Sequence, residues 1–191
     1  MKKLKFIHIT KTAGTSIENI GIKHNIRWGR FHEEYGWWHG FFSKKSNDLK
    51  NKYNWFTVVR NPYSRIISEF YCKWGMVSEK IRNSNNKVEF NKIIQDRIKQ
   101  RDKDVGNHWS DQYLYFDEKY DISILKFEEL PDCFNRLMTI HNMDHIKLNI
   151  QHNMSTKFFH VDDLFKETIE MINDEYHNDF IFLGYKKISY A

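Results

Sequence analysis

The chain has 191 residues, a length that fits one domain with a core of its own. Hydrophobic residues make up 40% and aromatic residues 16%, which excludes a disordered chain, and no apolar run is long enough to cross a membrane. The net charge of +5 and the isoelectric point near 9.0 suit an anionic ligand, but the basic residues are scattered and not gathered into a nucleic-acid arm.

Two cysteines, Cys72 and Cys133, lie far apart among apolar residues and are expected to pack as small hydrophobes in a reducing compartment. The strand pattern begins at Leu4, with no leader-like segment before it, so the expectation is a cytoplasmic protein with no membrane partner.

Leu4, Phe6, Ile7 and Ile9 form a short apolar strand pattern that runs into Thr10-Lys11-Thr12-Ala13-Gly14-Thr15-Ser16. A helical pattern follows at Ile17, Ile20 and Ile22. Strand, tight loop and helix together make an anion cradle, because the loop amides and the helix N-terminus face one group. Lys11 adds a full positive charge, and Thr12, Thr15 and Ser16 add hydroxyls. Taken alone, the turn also reads as a helix capped by Thr15 or Ser16 beside an exposed lysine. It is not the nucleoside-triphosphate loop with two glycines, since the lysine precedes the only glycine.

Residues 27–42 are aromatic, glycine-punctuated and without period, hence an ordered loop, and 43–54 are a short helix or surface connection. Trp55-Phe56-Thr57-Val58-Val59 reads as a buried strand that stops at Arg60. Asn61 caps the next helix, Pro62 takes its first position, and Ile66, Ile67, Phe70, Tyr71 and Trp74 form its apolar stripe up to Gly75. Residues 78–87 read as exposed and 99–106 as mobile, with a helix between them carrying Val88, Phe90, Ile93, Ile94 and Ile98. The segment from Asn107 to Tyr113 is too rich in side-chain chemistry for a plain linker. A strand at 121–127, a helix opened by Pro131, a polar turn at 153–157 and a helix from Leu164 to Tyr176 follow, and Phe180 to Tyr185 closes the chain.

Three strands alternating with helices predict an α/β fold with a parallel sheet, in a single domain over residues 1–191. Ligands of such sheets sit at the carboxyl ends of the strands, so the Thr10–Ser16 and Arg60–Ser68 motifs open on one edge. A guanidinium fork and a hydroxyl suit a terminal phosphate, although Arg60 could equally pair with a carboxylate and leave Ser68 in solvent. Two such sites on one sheet suit a ligand with two anionic ends.

The stretch from His8 to Ser16 resembles the 5′-phosphosulfate loop of sulfotransferases that use 3′-phosphoadenosine 5′-phosphosulfate (PAPS). Val59 to Phe70 resembles their 3′-phosphate motif, with the same interval from Arg60 to Ser68. The closer likeness is to the carbohydrate branch: His108-Trp109-Ser110-Asp111-Gln112 is similar to its His-Trp-x-Pro-Gln segment, with Asp111 where proline is usual. Leu125 to Leu130 and the ending Asp179 to Tyr185 also fit, so the resemblance runs from residue 5 to 185. Golgi members of that branch usually carry a membrane anchor and stem; the expectation here is a protein with neither, and the shortness of the sequence leaves the acceptor open.

The resemblance implies a P-loop-like three-layer α/β/α fold and sulfuryl transfer from PAPS to an acceptor hydroxyl or amine, without a metal. It assigns Lys11, Thr12, Ala13, Gly14, Thr15, Ser16, Arg60 and Ser68 to the nucleotide, with Ser155 and Lys157 on a loop that closes on its 3′ end. Lys11 would offset charge on the leaving phosphate. A general base is also needed. The candidate is His39, in competition with His32, Glu33, Glu34 and His108. His32, Trp37, His108, Trp109 and Gln112 are the candidate acceptor contacts, with core packing as the alternative for the tryptophans. The acceptor is expected to be a small molecule or glycan, not a nucleic acid. A kinase with a degenerate phosphate loop and a non-enzymatic basic module that binds glycan or nucleic acid are the rival functions.

Overall fold

The computed structural model describes residues 2–29, 39–104, 106–149 and 158–190. These fall into two compact units, Met1–Arg60 with Leu114–Asn153, and Asn61–Tyr113 with Met154–Ala191.

The first unit is built on a parallel sheet of β1 (Leu4–Ile7), β2 (Asn54–Val59) and β3 (Ile122–Lys126), in that order. Ile7 pairs with Thr57 and Thr57 with Ile124, so the strands finish at one edge. The strand alternation puts Leu4, Phe6, Phe56, Val58 and Leu125 on one face. There they form a core with Ile17 of α1 (Gly14–Lys23) and with Phe134, Leu137 and Met138 of a later helix, Asp132–Ile140. On the other face Trp55 meets Phe42 edge to face at 5.3 Å, beyond which Ser46 caps the short helix α2 (Asn47–Lys52). The expected α/β architecture and parallel sheet are therefore present.

The second unit is helical: α3 (Pro62–Phe70), α4 (Glu79–Arg82), α5 (Lys87–Lys99) and, after α6 (Asp132–Ile140) of the first unit, α7 (Lys166–Glu175) and α8 (His177–Leu183). The Asn61 side chain accepts hydrogen bonds from the Tyr63 and Ser64 amides, the cap expected ahead of Pro62. Its core gathers Tyr63, Ile66, Phe70, Phe90, Ile94, Ile172 and Phe180, with Phe90 stacked on Phe159 at 4.3 Å.

Some local details differ from the sequence reading or add to it. Helix α3 stops at Phe70 and Trp74 is 68% exposed, so the apolar stripe is one turn shorter than its spacing suggests. Gly75 does not close that helix; a Cβ there would stand 2.5 Å from the Glu69 carbonyl oxygen, so close backbone approach requires glycine. The exposed 78–87 segment contains α4, and the charged 99–106 segment holds a 3-10 turn at Arg101–Lys103, where Arg101 Nη1 lies 2.5 Å from Glu175 Oε2. The chain's last apolar segment is helical, closed by Gly184 at φ 66°.

Candidate active site

The site grows from the end of β1. Residues Thr10–Ala13 turn sharply, and both Lys11 (φ 60°) and Ala13 (φ 69°) take the left-handed conformation. For residues with a Cβ this costs about 1 kcal/mol each, so the surroundings must hold the loop in place. Thr12, fully buried, donates its hydroxyl to the Ile9 carbonyl at 2.8 Å. Its side chain thus holds the loop together, and only its backbone is left for a ligand.

The residue preceding α1 is Ala13, not Thr15 or Ser16, and no side chain caps the helix. The Ser16 amide bonds the Ala13 carbonyl at 3.0 Å, whereas the Gly14 and Thr15 amides have no acceptor among the described residues. Those two N–H groups stand at the positive end of the helix dipole. The Lys11 ammonium makes no ion pair among the described residues. Two amides and one cation without partners among the described residues, in a held loop, fit an anionic group.

His8 lies under this loop. It is 6% exposed, and its Nδ1 is 3.4 Å from Oε1 of Glu18, itself buried on α1. A Cβ on Gly14 would come within 2.2 Å of His8 Nε2, so only glycine lets the imidazole sit there. The half-buried His39 ring packs on the His8 ring, with centroids 4.8 Å apart and planes tilted by 38°. His39 is thereby brought against His8 from 31 residues further along the chain.

Arg60 follows the last residue of β2 and reaches the same loop. Its Nη1 donates to the Lys11 carbonyl at 3.2 Å, and its guanidinium lies 4.1 Å from the centroid of Phe127. The parallel register brings about this meeting, since β1 and β2 end side by side. Phe127 begins the 3-10 turn after β3, so all three strand ends contribute.

The remaining sequence candidates among the described residues belong to the second unit. Ser68 is buried on α3 in the second unit. His108 is buried there too, with Nδ1 2.9 Å from Glu69 Oε2. Burial opposes its charge, but hydrogen bonds to Cys72 and Glu69 prevail and push its pKa up to about 10. Trp109 is 1% exposed and donates Nε1 to the Gly75 carbonyl. Gln112 is fully buried, with its amide on Asp179. Trp109 and Gln112 thus pack inside the second unit. His32, Trp37, Ser155 and Lys157 lie outside the described residues, as do Glu33 and Glu34.

Sequence reasoning passed over Glu18, His8 and Phe127. A signal existed for Glu18: it stands four residues after Gly14 on α1, and therefore on the same face.

A family model described as the sulfotransferase family matches residues 1–186, across both units. The chain belongs to the sulfotransferase family. No curated protein and no solved structure matches it. Membership makes the protein an enzyme of sulfuryl transfer and sets aside the kinase and the non-catalytic binding module. Among the described residues of this sulfotransferase, no helix is long and apolar enough to cross a membrane.

Proposed function

We propose that this sulfotransferase moves the sulfuryl group of PAPS to a hydroxyl of a carbohydrate acceptor, with His39 as general base. The observation that carries this reading is the meeting of Arg60 with the Lys11 loop, which joins two motifs 49 residues apart at one sheet edge. PAPS, when bound, supplies the sulfuryl group and a phosphate leaving group.

Lys11 and the Gly14 and Thr15 amides receive the charge that grows on the leaving phosphate oxygen as its bond to sulfur breaks. Because the loop amides are held in place before the reaction, little reorganisation of them is needed at the transition state. Arg60 holds the 3′-phosphate end, where its planar fork suits a phosphate. Ser68, Ser155 and Lys157 keep their place at that end on the resemblance alone. His39 takes the acceptor's proton as the acceptor oxygen forms its bond to sulfur from the opposite side. His8, buried between Glu18 and His39, orients the base. The carbohydrate acceptor is supported by the likeness of the motifs to that branch.

The test is transfer of labelled sulfuryl from PAPS to a panel of glycans by wild type, His39→Ala and His108→Ala. His39→Ala is expected to lose a factor of about 10²–10⁴ in turnover. Retained turnover in His39→Ala alongside loss in His108→Ala would move the base to the second unit.

A further inference from the structure

The second unit holds a cluster to which the transfer proposed above assigns no role. Glu69 is the penultimate residue of α3, Cys72 follows three residues later, and His108 arrives on a separate loop. One donor atom from each lies within 4.8 Å of the other two, and all three residues are buried.

Local structure fixes each of them. The Cys72 amide bonds the Glu69 carbonyl at 2.9 Å, which continues the helical turn beyond α3. Asp104 orders the His108 loop, accepting from the Gly106 amide through Oδ1 and from the Trp109 amide through Oδ2. A Cβ on Gly106 would lie 2.6 Å from His108 Cδ2, so glycine there makes room for the ring. Nδ1 of the ring then faces Glu69.

Glu69 supplies the second, independent observation. It is fully buried, yet among the described residues its Oε1 accepts no hydrogen bond; Arg65 Nη1 is 3.9 Å away. A buried carboxylate oxygen without a donor calls for a further partner.

We propose that Glu69, Cys72 and His108 bind one divalent cation of the zinc class. Thiolate, imidazole and carboxylate form a donor set typical of zinc, and they leave the fourth tetrahedral position to a water or small anion. Zinc bond lengths place such donors about 3.3–3.8 Å apart, so the Glu69–His108 pair opens slightly from 2.9 Å to admit the ion. The charges balance: thiolate and carboxylate neutralise the ion, while the imidazole is neutral. Arg65 is held apart from the ion by the carbonyls of His108 and Ser110, to which it donates, and by the charges of Asp111 and Asp179. Binding displaces two protons, one from the Cys72 thiol and one from the His108 imidazolium, and ties the end of α3 to the His108 loop. The site thus staples the second unit and takes no part in the transfer proposed above.

Cobalt(II) reports directly on such a site, because thiolate ligation gives a charge-transfer band and tetrahedral geometry gives intense visible bands. The full-length protein, purified without a histidine tag and stripped with chelator, is expected to take up one equivalent of cobalt(II) with both features and to release it to zinc(II). Zinc is expected to raise the melting temperature. Cys133→Ser should keep the charge-transfer band and Cys72→Ser should lose it. If Cys72→Ser does not fold, a band retained in Cys133→Ser still assigns the thiolate to Cys72, since the chain has only two cysteines. Absence of a stoichiometric thiolate–cobalt band in wild type, or its persistence in Cys72→Ser, overturns the proposal.

Discussion

Arg60 and Arg65 stand five positions apart on either side of the helix start at Pro62 and do opposite work. Arg60 is half-buried, stacked on Phe127 and bonded to a loop carbonyl. Arg65 is 1% exposed; it donates to the carbonyls of His108 and Ser110 and faces Glu69. A guanidinium at an open strand end can exchange its partners for a ligand phosphate. A guanidinium surrounded by its own chain cannot, and it serves as the hub of a folded unit. Burial, not residue type, separates a binding residue from a structural one.

The largest expected effect breaks the comparison on the buried side. Arg65→Leu strands Glu69 and two carbonyls in the interior and should cost about 3–5 kcal/mol of stability, measured by urea unfolding. Arg65→Lys should rescue little, because an ammonium cannot reproduce the fork. If Arg65→Leu unfolds like wild type, the hub role is wrong.

On the open side, Gly14→Ala sharpens the contrast by driving a methyl group into His8 Nε2. About 1–3 kcal/mol of destabilisation is expected, together with loss of turnover. His8→Ala added to Gly14→Ala should recover part of the stability, a coupling that a double-mutant cycle reads directly.

The smallest effect concerns Asp111. Burial, then the neighbouring Asp179 charge, pushes its pKa up to about 6 from an ordinary 3.8. The folded state therefore binds this proton more tightly than the unfolded chain does. The resulting stabilisation is complete below about pH 3.8 and is lost as pH rises through about 6. Asp111→Asn, which removes the charge, should be the more stable protein above that pH, with the difference closing as pH falls. A constant difference between the two melting curves across this range would contradict the assignment.

Much of the first unit was legible in the sequence because its signals are local. Apolar alternation marked β1, a compact β-rich run marked β2, Asn61 and Pro62 marked the start of α3, and one lysine before one glycine marked the loop. Contacts between distant positions were not legible. The pairing of His8 with Glu18 and His39 depends on where a buried ring comes to rest, and the cluster at Glu69, Cys72 and His108 joins a helix end to a loop 36 residues beyond Cys72. Trp74 and Trp109 show the same limit. Both are large and aromatic, yet one is 68% exposed and the other 1%, because helix length and loop packing decide burial, and composition does not.

The most direct test of the account is calorimetry of 3′-phosphoadenosine 5′-phosphate binding to wild type, Lys11→Ala and Arg60→Ala. Wild type should bind, and each variant should bind about 10–100-fold more weakly, the loss of one charge-assisted contact, with unfolding within about 0.5 kcal/mol of wild type. No binding by wild type at near-millimolar ligand, or unchanged affinity in both variants, would contradict the claim that this loop and Arg60 hold the sulfuryl donor.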